Sequence, residues 1–160
     1  MGQSTDGQIC YGIKFEEGFH FAWDDATWKG DIKDWWRYVN EYKPPFELHD
    51  YRTITEIQEQ EYYNIQGAWD DAHPIPIELV NYCHIDRPMY ILALKETFKY
   101  YCSRGYPVEF NPTELKTKNS QKLLDFCEKY LKDEIEKFNS CEYNEPVELT
   151  PKWYLSSYWG

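Results

Sequence analysis

Two acidic pairs have the clearest capacity for chemistry. Asp24, Asp25, Asp70 and Asp71 lie in two copies of the pentapeptide AWDDA, and a histidine is close to each copy. Carboxylate oxygens are the ligands that hard cations prefer. The spacing is not that of a calcium-binding loop, however, and an Asp at an element boundary is typical of a cap or a turn. We therefore predict neither a metal site nor a bound cofactor.

A second candidate is the adjacent pair Cys83 and His84, at a predicted strand end. A thiolate activated by a histidine is a common enzyme nucleophile. Successive residues of a strand point to opposite faces, so these two side chains do not pair with each other. We interpret them as a core cysteine and a half-exposed histidine, and we assign no catalytic residue.

An alternative hypothesis gives the same pair a binding role. Ser4, Thr5 and Asp6 precede the first predicted strand, and a polar segment folded over a sheet end would present hydroxyl groups to a small ligand. With Cys83 and His84 nearby, this region would form the pocket of a small-ligand-binding protein or an enzyme.

Negative charge is concentrated in the first half of the chain. The whole sequence has 17 Lys or Arg and 28 Asp or Glu, a net charge of −11. Residues 1–80 have 6 basic and 16 acidic residues, a net charge of −10. Such a surface repels phosphate, which argues against direct nucleic-acid binding and favours a basic protein surface as the partner. The predicted contact residues are Asp24, Asp25, Glu56, Glu59, Glu61, Asp70 and Asp71.

Alternating apolar residues predict four strands. Residues 9–15 form a strand with one buried face, and residues 19–23 continue it as a hairpin. Further strands are predicted at 77–84 and at 153–159.

Helical spacing predicts the remaining elements. One helix begins at the cap residue Asp31, and a second begins at the capping box of residues 53–56 and runs through Ile57 and Ile65. Two more are predicted at 86–104 and at 124–138, and a further helix start at 111–114.

These elements predict a single α+β domain over residues 1–160. Its mostly antiparallel sheet includes the N- and C-terminal strands, and about four helices pack on it. The longest apolar run, residues 89–94, is far too short to cross a bilayer, so no membrane association is expected. Five cysteines without a C-x-x-C pair indicate reduced thiols, as in a cytoplasm.

Several stretches resemble a group of small, uncharacterised proteins encoded by bacteriophages. They are MGQSTDGQICYG at the N-terminus, PMYILAL and RGYP in the middle, and WYLSSYWG at the C-terminus. The group has no assigned activity, cofactor or catalytic residue, so the resemblance implies only a context. That context is a phage protein in the cytoplasm of a bacterial host.

The leading hypothesis is therefore a non-enzymatic phage accessory protein. It would bind a basic surface of a host protein through its acidic face, and counteracting host antiviral defence is a role that such binding could serve. The alternatives are the small-ligand-binding protein or enzyme described above and a structural protein of the virion.

Overall fold

The computed structural model describes residues 5–44, 55–83, 89–101 and 120–159. Contacts divide the chain into two compact units. The sheet unit comprises Met1–Ala22 and Pro76–Gly160, and the helical unit comprises Trp23–Ile75. The prediction of one domain over residues 1–160 stays a prediction. Within the described residues, no helix combines the length and the apolar composition needed to cross a membrane.

An antiparallel sheet of five strands forms the sheet unit. The strands are β1 (Thr5–Phe15), β2 (Ile77–Cys83), β3 (Met89–Leu94), β4 (Lys99–Tyr101) and β5 (Lys152–Trp159). Strand β1 pairs with β3, β4 and β5, and β2 pairs with β3. The N- and C-terminal strands are therefore neighbours, and the predicted α+β class with an antiparallel sheet is confirmed.

Strand β1 is buried on both faces, although its alternation predicted one buried face. Ile13 is buried on one side, and Cys10 and Gly12 are buried on the other. A Cβ atom at Gly12 would lie 2.5 Å from the carbonyl oxygen of Leu92 in β3. Glycine is therefore needed for the close approach of these two strands.

The side chain of Thr97 replaces a backbone hydrogen-bond acceptor where the sheet is interrupted. A 3-10 turn, Lys95–Thr97, separates β3 from β4 and interrupts their pairing with β1. The buried Thr97 hydroxyl oxygen accepts a hydrogen bond from the Tyr11 N–H at 3.0 Å and donates one to the Leu94 carbonyl at 2.7 Å. A side chain thus supplies the acceptor that the interrupted strand no longer provides.

The sheet is strongly curved. Strand β3 lies between β1 and β2, and Asn81 of β2 is level with Phe15 of β1 in the ladder. Nevertheless the side-chain amide of Gln8, seven residues away along β1, donates to the Asn81 carbonyl at 2.9 Å. A flat sheet, with strands about 4.8 Å apart, would not allow this contact. The concave face is filled by the small cluster of Cys10, Val80, Ile91 and Ala93.

Two helices of the sheet unit replace the one predicted at 124–138. Helix α3 spans Ser120–Tyr130 and helix α4 spans Lys132–Asn139, with Leu131 fully buried between them. The Phe19 ring contacts Phe15 of β1 and Phe138 of α4, at centroid distances of 4.4 and 5.4 Å. Aromatic packing therefore joins α4 to the face of β1 opposite Cys10.

Two sequence-based element predictions were wrong. Residues 86–104 were predicted to be helical, but β3 and β4 lie there, because a continuous apolar run also fits a strand that is buried on both sides. Residues 19–23 do not form a strand, since the chain turns into a 3-10 helix at Ala22–Asp24. The helix start predicted at 111–114 lies outside the described residues.

The helical unit contains helices α1 (Ile32–Val39) and α2 (Glu56–Ala72), which precede α3 and α4 in the chain. Asp31 caps α1 as predicted, because its carboxylate accepts hydrogen bonds from two backbone N–H groups of the first turn. The capping box of α2 is formed by Thr55 and Gln58, two residues later than predicted. With α3 and α4, the described residues include four α-helices, the number expected.

Candidate functional site

Helix α2 carries most of the predicted contact surface. Five of the seven predicted contact residues lie on it: Glu56, Glu59, Glu61, Asp70 and Asp71. The helix has 17 residues, none of which is buried, and its sequence contains no Lys or Arg. It therefore presents an acidic surface without internal cations.

The inner face of α2 packs within the helical unit. The half-buried side chains of this helix are Tyr62, Gln66, Trp69 and Asp70, which recur every three or four residues and so share one side. The Trp69 ring contacts Tyr42 at a centroid distance of 5.1 Å and stacks on His73 at 4.3 Å. The carbonyl of His73 also accepts a hydrogen bond from the Trp36 indole at 2.8 Å.

Arg37 of α1 binds Asp70 on this inner face. Its Nε and Nη2 donate to the two carboxylate oxygens of Asp70 at 2.9 and 2.6 Å, and Nη1 donates to Asp34 at 2.6 Å. The hydrogen bond to Asp70 raises the pKa of the Arg37 guanidinium above its usual value. Asp70 therefore has a structural role in holding α2 against α1.

Asp24 and Asp25 lie in a separate element, at the 3-10 turn before α1. Both are exposed. The carboxylate of Asp25 accepts a hydrogen bond from the Thr27 N–H at 2.8 Å, which lowers the pKa of Asp25. Asp25 thus acts as a turn residue, as its position in the sequence suggested.

The opposite side of α2 forms a second surface, which we call the outer face. It borders a shallow, open groove and consists of Glu56, Ile57, Gln60, Glu61, Asn64, Ile65 and Ala68. These residues form two adjacent rows with a spacing of four, so they line one side of the helix. Ile57 is 79% exposed and Ile65 is 39% exposed.

Ile57 and Ile65, the apolar residues on which the prediction of this helix rests, are exposed and do not form its packed side. The inner face is occupied instead by Tyr62 and Trp69. A signal for this was present in the sequence, because Tyr62, Gln66, Trp69 and His73 also recur at helical spacing.

The structure groups some of the predicted acidic residues and separates others. Glu56 and Glu61 flank the apolar residues of the outer face. Asp71 follows Ala68 by three positions and therefore lies on the same side of the helix. Glu59 lies on a different side of the helix, and Asp70 is paired with Arg37.

The alternative ligand site is only partly described. Ser4 and His84 lie outside the described residues. The backbones of Thr5 and Asp6 pair with β5, whereas that of Cys83 pairs with Met89 of β3. This site stays a prediction.

Two of the described cysteines, Cys10 and Cys127, are buried. Burial raises the pKa of the Cys10 and Cys127 thiols to about 12, which keeps both neutral and poorly nucleophilic near pH 7. Among the described residues, no group of three or more His, Cys, Asp or Glu side chains is placed to hold a metal ion.

Comparisons with known proteins leave the site to be interpreted from its own geometry. The chain matches no protein-family model, no curated protein and no solved structure.

Proposed function

We propose that this chain is a non-enzymatic accessory protein that binds a basic surface of another protein through its helical unit. A bacterial host protein is the partner expected in the phage context that the sequence resemblance implies. The observation that carries the proposal is helix α2, which has no fully buried residue and has five carboxylates but no cation of its own.

The charge distribution supports the same unit as the binding surface. Residues 23–75 have 5 Lys or Arg and 12 Asp or Glu, a net charge of −7 over 53 residues. The remaining 107 residues have 12 and 16, a net charge of −4. A field of this sign steers basic surfaces toward the helical unit and repels phosphate groups.

Capture from a bacterial lysate tests the proposal. The full chain would be immobilised beside a variant with Glu56→Lys, Glu59→Lys and Glu61→Lys. We expect the parent chain to retain a stoichiometric protein at low salt, because exposed charges then attract over about 10 Å or more. The charge-reversed variant is expected to lose that protein.

A matched variant separates local charge from net charge. Asp133→Lys, Glu136→Lys and Glu142→Lys change the net charge by the same amount at exposed positions of the sheet unit, and this variant should still retain the partner. The proposal is rejected if no stoichiometric protein is captured, or if capture survives both high salt and the substitutions in α2.

A further inference from the structure

We infer that the outer face of α2 binds a basic amphipathic helix of the partner protein. This inference rests on the proposed function and specifies the structure that the partner presents. Its starting point is the combination of exposed apolar residues with carboxylates on one side of a single helix.

The arrangement of the outer face suits a helical partner. Ile57, Glu61 and Ile65 form one row with a spacing of four. Glu56, Gln60, Asn64 and Ala68 form the neighbouring row. Two helices pack when a ridge of one enters the groove between such rows of the other. With 17 residues, α2 offers a contact about 25 Å long.

Glu61 sets the charge that the partner must carry. It lies four residues after Ile57 and four before Ile65, so a partner that covers both isoleucines also removes water from this carboxylate. A buried carboxylate needs a cation or several hydrogen-bond donors to compensate for its lost hydration. An Arg or Lys on the partner, beside its apolar residues, would meet this requirement.

Asp71 provides a second attraction at the other end of the helix. The C-terminus of a helix carries a partial negative charge, so a carboxylate there is unfavourable. Asp71 is exposed in the last turn of α2, which contains no basic residue. A cationic side chain docked at this end would offset both the carboxylate and the helix dipole.

The same charges disfavour a second copy of this chain, a nucleic acid or an anionic lipid surface as the occupant of the outer face. A second copy of α2 would bring Glu56 and Glu61 against carboxylates without any cation in either helix, because α2 contains no Lys or Arg. Nucleic acids and anionic lipid surfaces would be repelled for the same reason. Charge complementarity therefore favours a basic protein segment over a second copy of this chain.

A pair of synthetic peptides provides the test. The first is an amphipathic helix of about 18 residues, long enough to lie along α2, with leucines on one side and Arg and Lys beside them. The second has the same composition in scrambled order, so it keeps the charge and loses the apolar stripe. Binding to the full chain would be measured by calorimetry. We expect the amphipathic peptide to bind about tenfold more tightly than the scrambled one.

Variants of the chain locate the contact. Ile57→Ser with Ile65→Ser should weaken binding of the amphipathic peptide about tenfold and leave the scrambled peptide unaffected. The control is Tyr143→Ser with Leu149→Ser, which removes two exposed apolar side chains from the sheet unit and should change neither affinity. Circular dichroism would verify that each variant remains folded.

The possible results separate this inference from the proposed function. Equal binding of the two peptides, lost on Glu56→Lys, Glu59→Lys and Glu61→Lys, would retain an acidic docking surface and reject the helical partner. Binding of neither peptide would also reject the helical partner. The proposed function would still be tested by capture from the lysate. A dimer that dissociates on Ile57→Ser with Ile65→Ser would assign the outer face to a second copy instead.

Discussion

Helices α4 and α2 are both rich in acidic residues, but they place their apolar side chains differently. In α4, within the sheet unit, Ile135 and Phe138 are buried. In α2, within the helical unit, Ile57 and Ile65 are exposed and no residue is buried. The first arrangement is the ordinary consequence of folding, whereas the second leaves apolar area in contact with water.

The same contrast holds for backbone packing in the two units. Strand β1 is covered on both faces, and Gly12 has no space for a Cβ atom. Gly67, in the middle of α2, has nothing within 4 Å of the place where its Cβ would lie. We conclude that packing constrains β1 closely at Gly12 and leaves the surface of α2 open at Gly67.

Among the substitutions that test this comparison, Gly12→Ala is expected to have the largest effect on stability. The added methyl group would collide with the Leu92 carbonyl oxygen, which cannot move without shifting β3. We expect the free energy of unfolding to fall by about 3 kcal/mol, measured as a lower urea midpoint. An unchanged midpoint would show that Gly12 does not set the distance between β1 and β3.

Thr97→Val is expected to have the next largest effect. Valine keeps the shape of the side chain but removes the acceptor of the buried Tyr11 N–H. Leaving this group without a partner should cost about 2 kcal/mol in the free energy of unfolding. Thr97→Ser retains the hydroxyl group and should recover most of the loss. Equal destabilisation by Val and Ser would assign the effect to packing.

Much of the sheet could be predicted from the sequence, but β3 and β4 could not. Strands β1 and β5 show clear alternation, and Asp31 marks the start of α1 by its capping chemistry. The run at residues 89–94 lacks alternation because both faces of β3 are buried, so that successive residues from Ile91 to Leu94 are all shielded from water. Its identity depends on contacts with β1 and β2, which are distant in sequence.

The charge of the candidate site could be predicted from the sequence, but the position of its exposed apolar residues could not. The acidic residues of α2 could be identified from the sequence, whereas the outer face could not. The helix carries two apolar patterns, one through Ile57 and Ile65 and the other through Tyr62 and Trp69. The contacts of Arg37 with Asp70 and of Tyr42 with Trp69 decide which pattern faces inward.

Arg37→Met is the third prediction and concerns the helical unit. It keeps an unbranched apolar side chain but removes the cation that holds Asp70. Because the Asp70 side chain is 33% exposed, we expect a loss of about 1 kcal/mol rather than the larger cost of a fully buried pair. Faster hydrogen exchange in α1 and α2 would locate the effect.

Lys132→Met is the control for Arg37→Met, since it breaks the exposed pair of Lys132 with Glu128 in the sheet unit. We expect it to leave the urea midpoint of unfolding almost unchanged, because solvent screens an exposed pair. Equal effects of the two substitutions would mean that the Arg37–Asp70 pair contributes no more than a surface ion pair.

Gly67→Ala gives the smallest expected effect, and its sign is opposite to that of Gly12→Ala. A glycine inside a helix is less favourable than alanine by about 0.5 to 1 kcal/mol, because more backbone freedom is lost on folding. The new methyl group would meet no atom within 4 Å. We therefore expect a small rise in the free energy of unfolding, measured by urea denaturation beside Gly12→Ala. If Gly67→Ala instead lowers the free energy of unfolding, the surface of α2 at Gly67 is more tightly packed than the open space around this glycine indicates.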